Sequence, residues 1–77
     1  MFWNKKRKLI NISGMSCEKC AKNIKRVLEE IPEIDKVKVN LLKQEAIIYY
    51  KTEVNEEEIK RKIEELEYKV TGIRNIN

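Results

Sequence analysis

Apolar residues along this chain recur at two different spacings, and the points where the spacing changes divide it into segments. From Lys8 to Ser13, Ile10 and Ile12 share one face while Asn11 and Ser13 take the other, the period of a half-buried strand. Beyond residue 20 the spacing lengthens. Ala21, Ile24, Val27, Leu28 and Ile31 recur at helical intervals with Lys22, Lys25, Arg26, Glu29 and Glu30 between them, and Pro32 stops the helix. Val37, Val39 and Leu41 then alternate with Lys36, Lys38 and Asn40, which predicts a second strand.

Gln44 to Lys51 predicts a third strand, rich in residues that suit a sheet, and the connection Leu42-Lys43-Gln44 is short enough for a hairpin although it has no Asn-Gly signal. The second helix carries its own start signal. Asn55 can cap it and Glu58 can reach back, while Glu56, Glu57 and Glu58 stand four residues before Lys60, Arg61 and Lys62. Ile59, Ile63 and Leu66 form its apolar stripe, and Tyr68 to Arg74 predicts a last strand centred on Val70. Residues 1 to 7 follow neither period and read as a basic N-terminal tail in front of a domain spanning 8 to 77.

The order β-α-β-β-α-β predicts an α+β fold: a four-stranded antiparallel sheet with two helices on one face, the ferredoxin-like arrangement. A weak internal echo agrees with two β-α-β halves, since Ile24 to Ile31 resembles Ile59 to Leu66 at a shift of 35. At that shift Thr52 and Asn55 stand where the first half has Cys17 and Cys20, so starting a helix does not account for the cysteines.

Length and charge narrow the function. A chain of 77 residues holds one small core. Its longest apolar run, Ala46 to Tyr50, is far short of the roughly 18 residues a membrane span needs. Asn11 follows Leu9-Ile10 at once, leaving no apolar signal region, so a reducing cytoplasmic setting is expected. Met1 and the aromatic, basic start suit a natural chain beginning. Residues 1 to 26 carry eight Lys or Arg against one Glu, a balance of +7, whereas residues 27 to 77 carry nine against twelve acids, a balance of −3. The positive end therefore surrounds the cysteines. Nucleic acid is not the expected partner, because half the chain is net acidic and no basic strand is interleaved with aromatics.

Gly14-Met15-Ser16-Cys17-Glu18-Lys19-Cys20 holds both cysteines where a strand pattern gives way to a helical one. With Ser16 or Cys17 just before the helix, Cys20 lies in its first turn, and both sulfurs can face one point. The positive end of a helix lowers thiol pKa and keeps thiolates available. Soft thiolates favour Cu(I) and also bind Zn(II). A closed zinc site takes four ligands, and this chain has two cysteines and no histidine. The pair is thus a full site for two-coordinate Cu(I) and half a site for zinc. It also leaves room for a thiolate from another protein, so that the ion can pass by ligand exchange. Met15 is expected to pack in the core and Glu18 to face solvent.

These residues resemble the heavy-metal-associated domain of small bacterial copper chaperones and of the N-terminal modules of copper-transporting P-type ATPases. The resemblance runs from residue 8 to about 74, and its specific part is the stretch from Gly14 to Cys20, similar to the family's GM[ST]CxxC. It implies that Cys17 and Cys20 ligate Cu(I) and that Met15 tucks inward as a hinge of the loop. Tyr68 stands where many bacterial chaperones of the family place a tyrosine against the metal loop, which leans toward a free chaperone. Glu67 replaces the glycine usual before it. Relatives that carry Zn(II) or Cd(II) often have an acid where this chain has Ser16, and relatives that bind Hg(II) are typically exported, so copper leads these metals.

The expected function is that of a Cu(I) metallochaperone and not an enzyme, handing its ion to a copper-transporting P-type ATPase or a copper sensor. A module of such an ATPase is the alternative. Lys19, Lys22, Lys25 and Arg26 are the candidate surface for an acidic partner. The chain is expected to be monomeric without metal, with a metal-bridged dimer as a further form. A thiol-disulfide oxidoreductase of glutaredoxin type ranks behind these, because Pro32 ends a helix and two strands follow it in succession.

Overall fold

The computed structural model describes residues 6–76. Its elements follow the expected order: β1 (Lys6–Ser13), α1 (Glu18–Glu29), β2 (Ile34–Asn40), β3 (Glu45–Tyr50), α2 (Glu56–Glu64) and β4 (Lys69–Asn75). The four strands form one sheet in the order β2-β3-β1-β4, and every neighbouring pair is antiparallel. The predicted α+β, ferredoxin-like arrangement is therefore the observed one.

One face of this sheet is dry. Ile10 and Ile12 of β1, Val37 of β2, and Ala46, Ile48 and Tyr50 of β3 pack in one cluster with Ile24 and Leu28 of α1 and Ile59 and Ile63 of α2. Both helices thus cover the same face. Removing any one of these large side chains would cost about 2–5 kcal/mol, lost transfer energy and a cavity together.

Element ends differ from the sequence pattern for physical reasons. β1 starts at Lys6, inside the stretch read as a tail, because Lys6 and Arg7 pair with Tyr50 and Tyr49. The remainder of that tail, 1–5, lies outside the described residues. α1 stops at Glu29, short of Pro32, since a residue preceding proline is driven out of the helical region; Ile31 instead turns inward and is buried. β2 begins earlier than expected, at Ile34, and a register shift between Ile34 and Lys36 interrupts its alternation. Ile34 and Val37 are consequently both buried with two exposed residues between them. Leu41 falls in the turn and not in β2, and Leu66 lies past the end of α2.

α2 opens as its sequence suggests, with the Asn55 side chain accepting from the Glu57 N–H at 2.8 Å. It closes less comfortably. Glu67 adopts a left-handed backbone, φ 71°, in the place where a glycine would be unstrained. Lys8 was not foreseen as a core residue. It shares the inward face with Ile10 and Ile12, is only 5% exposed, and donates to Glu56 Oε2 at 2.9 Å and Asn75 Oδ1 at 2.7 Å. Its ammonium also lies 5.6 Å from the ring centroid of Tyr50. No helix among the described residues is long and apolar enough to cross a membrane.

Candidate metal centre

The loop from β1 to α1 is shaped by three consecutive residues with different tasks. Gly14 turns the chain with φ 105°, a conformation a side chain resists. Met15 then buries its thioether, 6% exposed, in the core cluster, which anchors the loop from below. Ser16 and Cys17 are left exposed above it. Cys17 occupies the N-cap of α1 in an extended conformation, and its carbonyl accepts from the N–H groups of Cys20 at 3.1 Å and Ala21 at 3.3 Å. Cys20 therefore stands in the first helical turn, as the sequence implies.

This geometry brings Cys17 Sγ within 3.5 Å of Cys20 Sγ, and both cysteines are free. Cys17 is exposed, while Cys20 is half-buried against the core. No group of three or more His, Cys, Asp or Glu side chains that could hold a metal occurs among the described residues. Glu18 is exposed.

Hydrogen bonding favours the thiolate form of Cys20. Its thiol is lowered from 9.0 to about 6, first by a hydrogen bond from Tyr68, then by the main-chain N–H of Ser16 and by Cys17, against partial desolvation. The same contact raises the Tyr68 phenol, whose ionisation would set an oxyanion beside a thiolate. Tyr68 sits between α2 and β4, packed on the core cluster, and its Cδ1 would lie 3.5 Å from a Cβ placed on Gly14. Loop and tyrosine thus meet directly.

A residue that sequence reasoning missed joins the loop from the far side. Gln44, in the β2–β3 turn, accepts from the Met15 N–H at 3.0 Å through Oε1 and donates to the Met15 carbonyl at 2.8 Å through Nε2. A polar residue in a turn with no Asn-Gly signature gave no hint of this. The Asn40 side chain, which accepts from the Lys43 N–H at 3.0 Å, shapes the same turn.

The basic residues fall beside the site. Lys19, Lys22, Lys25 and Arg26 are all exposed along α1, and Lys25 pairs with Glu29 at 3.8 Å. Such an exposed i,i+4 pair is weak and leaves the positive field largely intact. Lys22 and Lys25 also border an open groove of about 810 Å³ between α1 and β2, whose other side carries Lys36 and Lys38, with Leu41 and Leu42 at its end. Leu42 is 95% exposed. The sequence pattern assigned Lys36 and Lys38 only to the polar face of a strand.

Comparison with known proteins points the same way. A family model described as the heavy-metal-associated domain matches residues 9–69. A copper-exporting P-type ATPase of Staphylococcus epidermidis is 33% identical over 60 residues, which is 77% of this chain and 8% of the ATPase. The chain therefore spans a small fraction of the length of that relative. Among solved structures, a CopZ metallochaperone superposes with a TM-score of 0.79 at 27% identity, covering 84% of this chain and 98% of that one. The yeast copper transporter domain Ccc2a, solved in apo and Cu(I)-loaded states, reaches a TM-score of 0.83 at 24% identity, covering 92% and 99%, and supports the fold.

Proposed function

We propose that this chain, which belongs to the heavy-metal-associated domain family, acts as a Cu(I) metallochaperone that carries one ion on Cys17 and Cys20 and passes it on by ligand exchange. The observation that carries this reading is the pair of sulfurs 3.5 Å apart with no third ligand assembled beside them among the described residues. Two soft thiolates satisfy Cu(I) but leave its coordination open. An incoming thiolate of a partner can bind before either cysteine lets go, and the ion never enters water. Zn(II), Cd(II) and Hg(II) are less suited, since the pair offers neither the four ligands of a closed zinc site nor an added oxygen at Ser16.

The chain's own groups have distinct parts in such a transfer. Tyr68 holds Cys20 as a thiolate at neutral pH, so that metal capture displaces little proton from it. Lys19, Lys22, Lys25 and Arg26 steer an acidic partner, in our reading the metal-binding module of a copper-transporting P-type ATPase, or a copper sensor. We place the protein in the cytoplasm, monomeric when free of metal, with a dimer bridged through four sulfurs as the loaded alternative. It has no role for nucleic acid. The order of β2 and β3 between the helices separates it from the glutaredoxin topology, and carriage suits the site better than redox catalysis.

The second reading, a metal-binding module of a larger ATPase, has the 33% identity to a segment of such an ATPase in its favour. The site chemistry is the same in both. Anaerobic titration against a competing Cu(I) chelator tests it: the wild type is expected to take one equivalent, and the double variant Cys17→Ser, Cys20→Ser none. Retention of wild-type affinity by that variant would remove the site assignment. Disulfide-reductase turnover with glutathione or thioredoxin reductase, in place of tight Cu(I) binding, would support the redox reading instead.

A further inference from the structure

Gln44 belongs to no part of the CxxC motif, yet its side chain bonds to the main chain of the loop that carries it. Its amide holds both main-chain groups of Met15, accepting the N–H at 3.0 Å and donating to the carbonyl at 2.8 Å. A second donation from Nε2 reaches the Leu41 carbonyl at 2.8 Å, which ties the amide to its own turn. The Gln44 carbonyl accepts from the Ile12 N–H at 2.9 Å, so the turn is also bonded to the last stretch of β1. The residue stands at φ 55°, a left-handed conformation that costs a non-glycine residue energy. A strained backbone that serves a two-sided grip on the residue two places before Cys17 calls for more than a turn.

We propose that Gln44 is a positioning residue of the metal centre: by clamping the Met15 peptide groups it fixes the path of the chain into Cys17 and keeps the apo loop in a form ready for metal. Met15 anchors the loop by burial, which sets its depth but leaves rotation about the anchor free. The Gln44 amide removes that rotation. Cys20 is already held by α1, so the separation of the two sulfurs depends on where the backbone at Ser16 and Cys17 is placed. The role toward copper rests on the Cu(I) reading above, whereas the role toward the loop does not.

Two variants isolate the side chain. Gln44→Gly suits φ 55° better than the native residue, so it removes the clamp without straining the turn. Gln44→Glu keeps the acceptor for the Met15 N–H and loses the donor to Met15 and Leu41. NMR relaxation on the apo protein is expected to give amide order parameters at Ser16 and Cys17 near about 0.85 in the wild type and below about 0.6 in Gln44→Gly, with Ile10 and Ile48 unchanged. Cu(I) affinity measured by chelator competition should fall about tenfold in Gln44→Gly, the worth of roughly one net hydrogen bond, and at least as far in Gln44→Glu, whose second carboxylate oxygen would face the Met15 and Leu41 carbonyls. A mobile wild-type loop, order parameters at Ser16 and Cys17 that stay near about 0.85 in Gln44→Gly, or a Cu(I) affinity of that variant within about twofold of wild type, would overturn the proposal. Failure of the wild type to bind Cu(I) would remove the copper reading, and the apo order parameters would still decide the part played by Gln44.

Discussion

The ring of Tyr68 lies over Gly14, with Cδ1 placed 3.5 Å from where a Cβ on residue 14 would stand. That spacing is ordinary contact, so an added methyl would fit. What residue 14 cannot accept in comfort is its φ of 105°. Gly14→Ala is therefore expected to destabilise the fold by about 1–2 kcal/mol through the backbone and to shift the loop under Tyr68. Urea unfolding measures the first effect. Recovery of full stability in Gly14→Ala would show that the loop relaxes to another path.

Tyr68→Phe keeps the ring against Gly14 and removes only the hydroxyl. Because that hydroxyl is the largest cause holding Cys20 at about 6, the thiol should move back toward 9.0. The sign for folding follows: with its folded value depressed, Cys20 contributes stability that is fully present above about pH 9 and lost as the pH falls through about 6. Thiolate absorbance against pH, read in Tyr68→Phe beside wild type, checks the shift. A titration curve identical in both would remove Tyr68 from the site.

Glu67→Gly is expected to stabilise the protein. The residue stands at φ 71° with its N–H bonded to the Glu64 carbonyl at 2.9 Å, a helix ending that favours glycine. Relief of the left-handed strain outweighs glycine's greater freedom in the unfolded chain, for a net gain of about 1 kcal/mol. A melting temperature unchanged or lowered in Glu67→Gly would contradict this.

The buried ammonium of Lys8 gives an asymmetric expectation. Burial alone would lower its pKa, but hydrogen bonds to Glu56 and Tyr50 outweigh this and raise it, so its contribution persists below 10.5 and is lost as the pH climbs through the higher folded value. Lys8→Met removes the charge and retains the stem, and should lie within about 1 kcal/mol of wild type. Glu56→Ala leaves the ammonium with Asn75 and the Tyr50 ring, and should cost more, about 1–3 kcal/mol. Chemical denaturation of both variants reads the order, and a costlier Lys8→Met would mean that the ion pair itself is strongly stabilising.

The fold was legible because its strands alternate and its helices are amphipathic: Ile10, Ile12, Ile24, Leu28, Ile59 and Ile63 all stand inside as their spacing implies. Parity also placed Lys8 on the inward face, where its charge argued against burial; a long stem threading past Tyr50 to Glu56 and Asn75 resolves the conflict. Lys6 and Arg7 were hidden because strand ends can pair through backbone alone, with no apolar alternation to announce it. The site divides in the same way. Cys17 and Cys20 are three residues apart, and local helix geometry brings their sulfurs together. Gln44 reaches the loop from 29 residues away, through a turn conformation that no local pattern encodes.

The two helices begin differently. Asn55 caps α2 with a side-chain bond, while Cys17, in the corresponding place on α1, makes none. Asp at that position would secure the first turn by about 1 kcal/mol and delete half of the sulfur pair. Selection for folding alone would therefore drift away from cysteine at position 17, and a thermostability screen of this protein would enrich sturdy variants that lack the sulfur pair. The weakly fastened helix start is the mark of a second demand on the sequence, one that opposes the demand to fold.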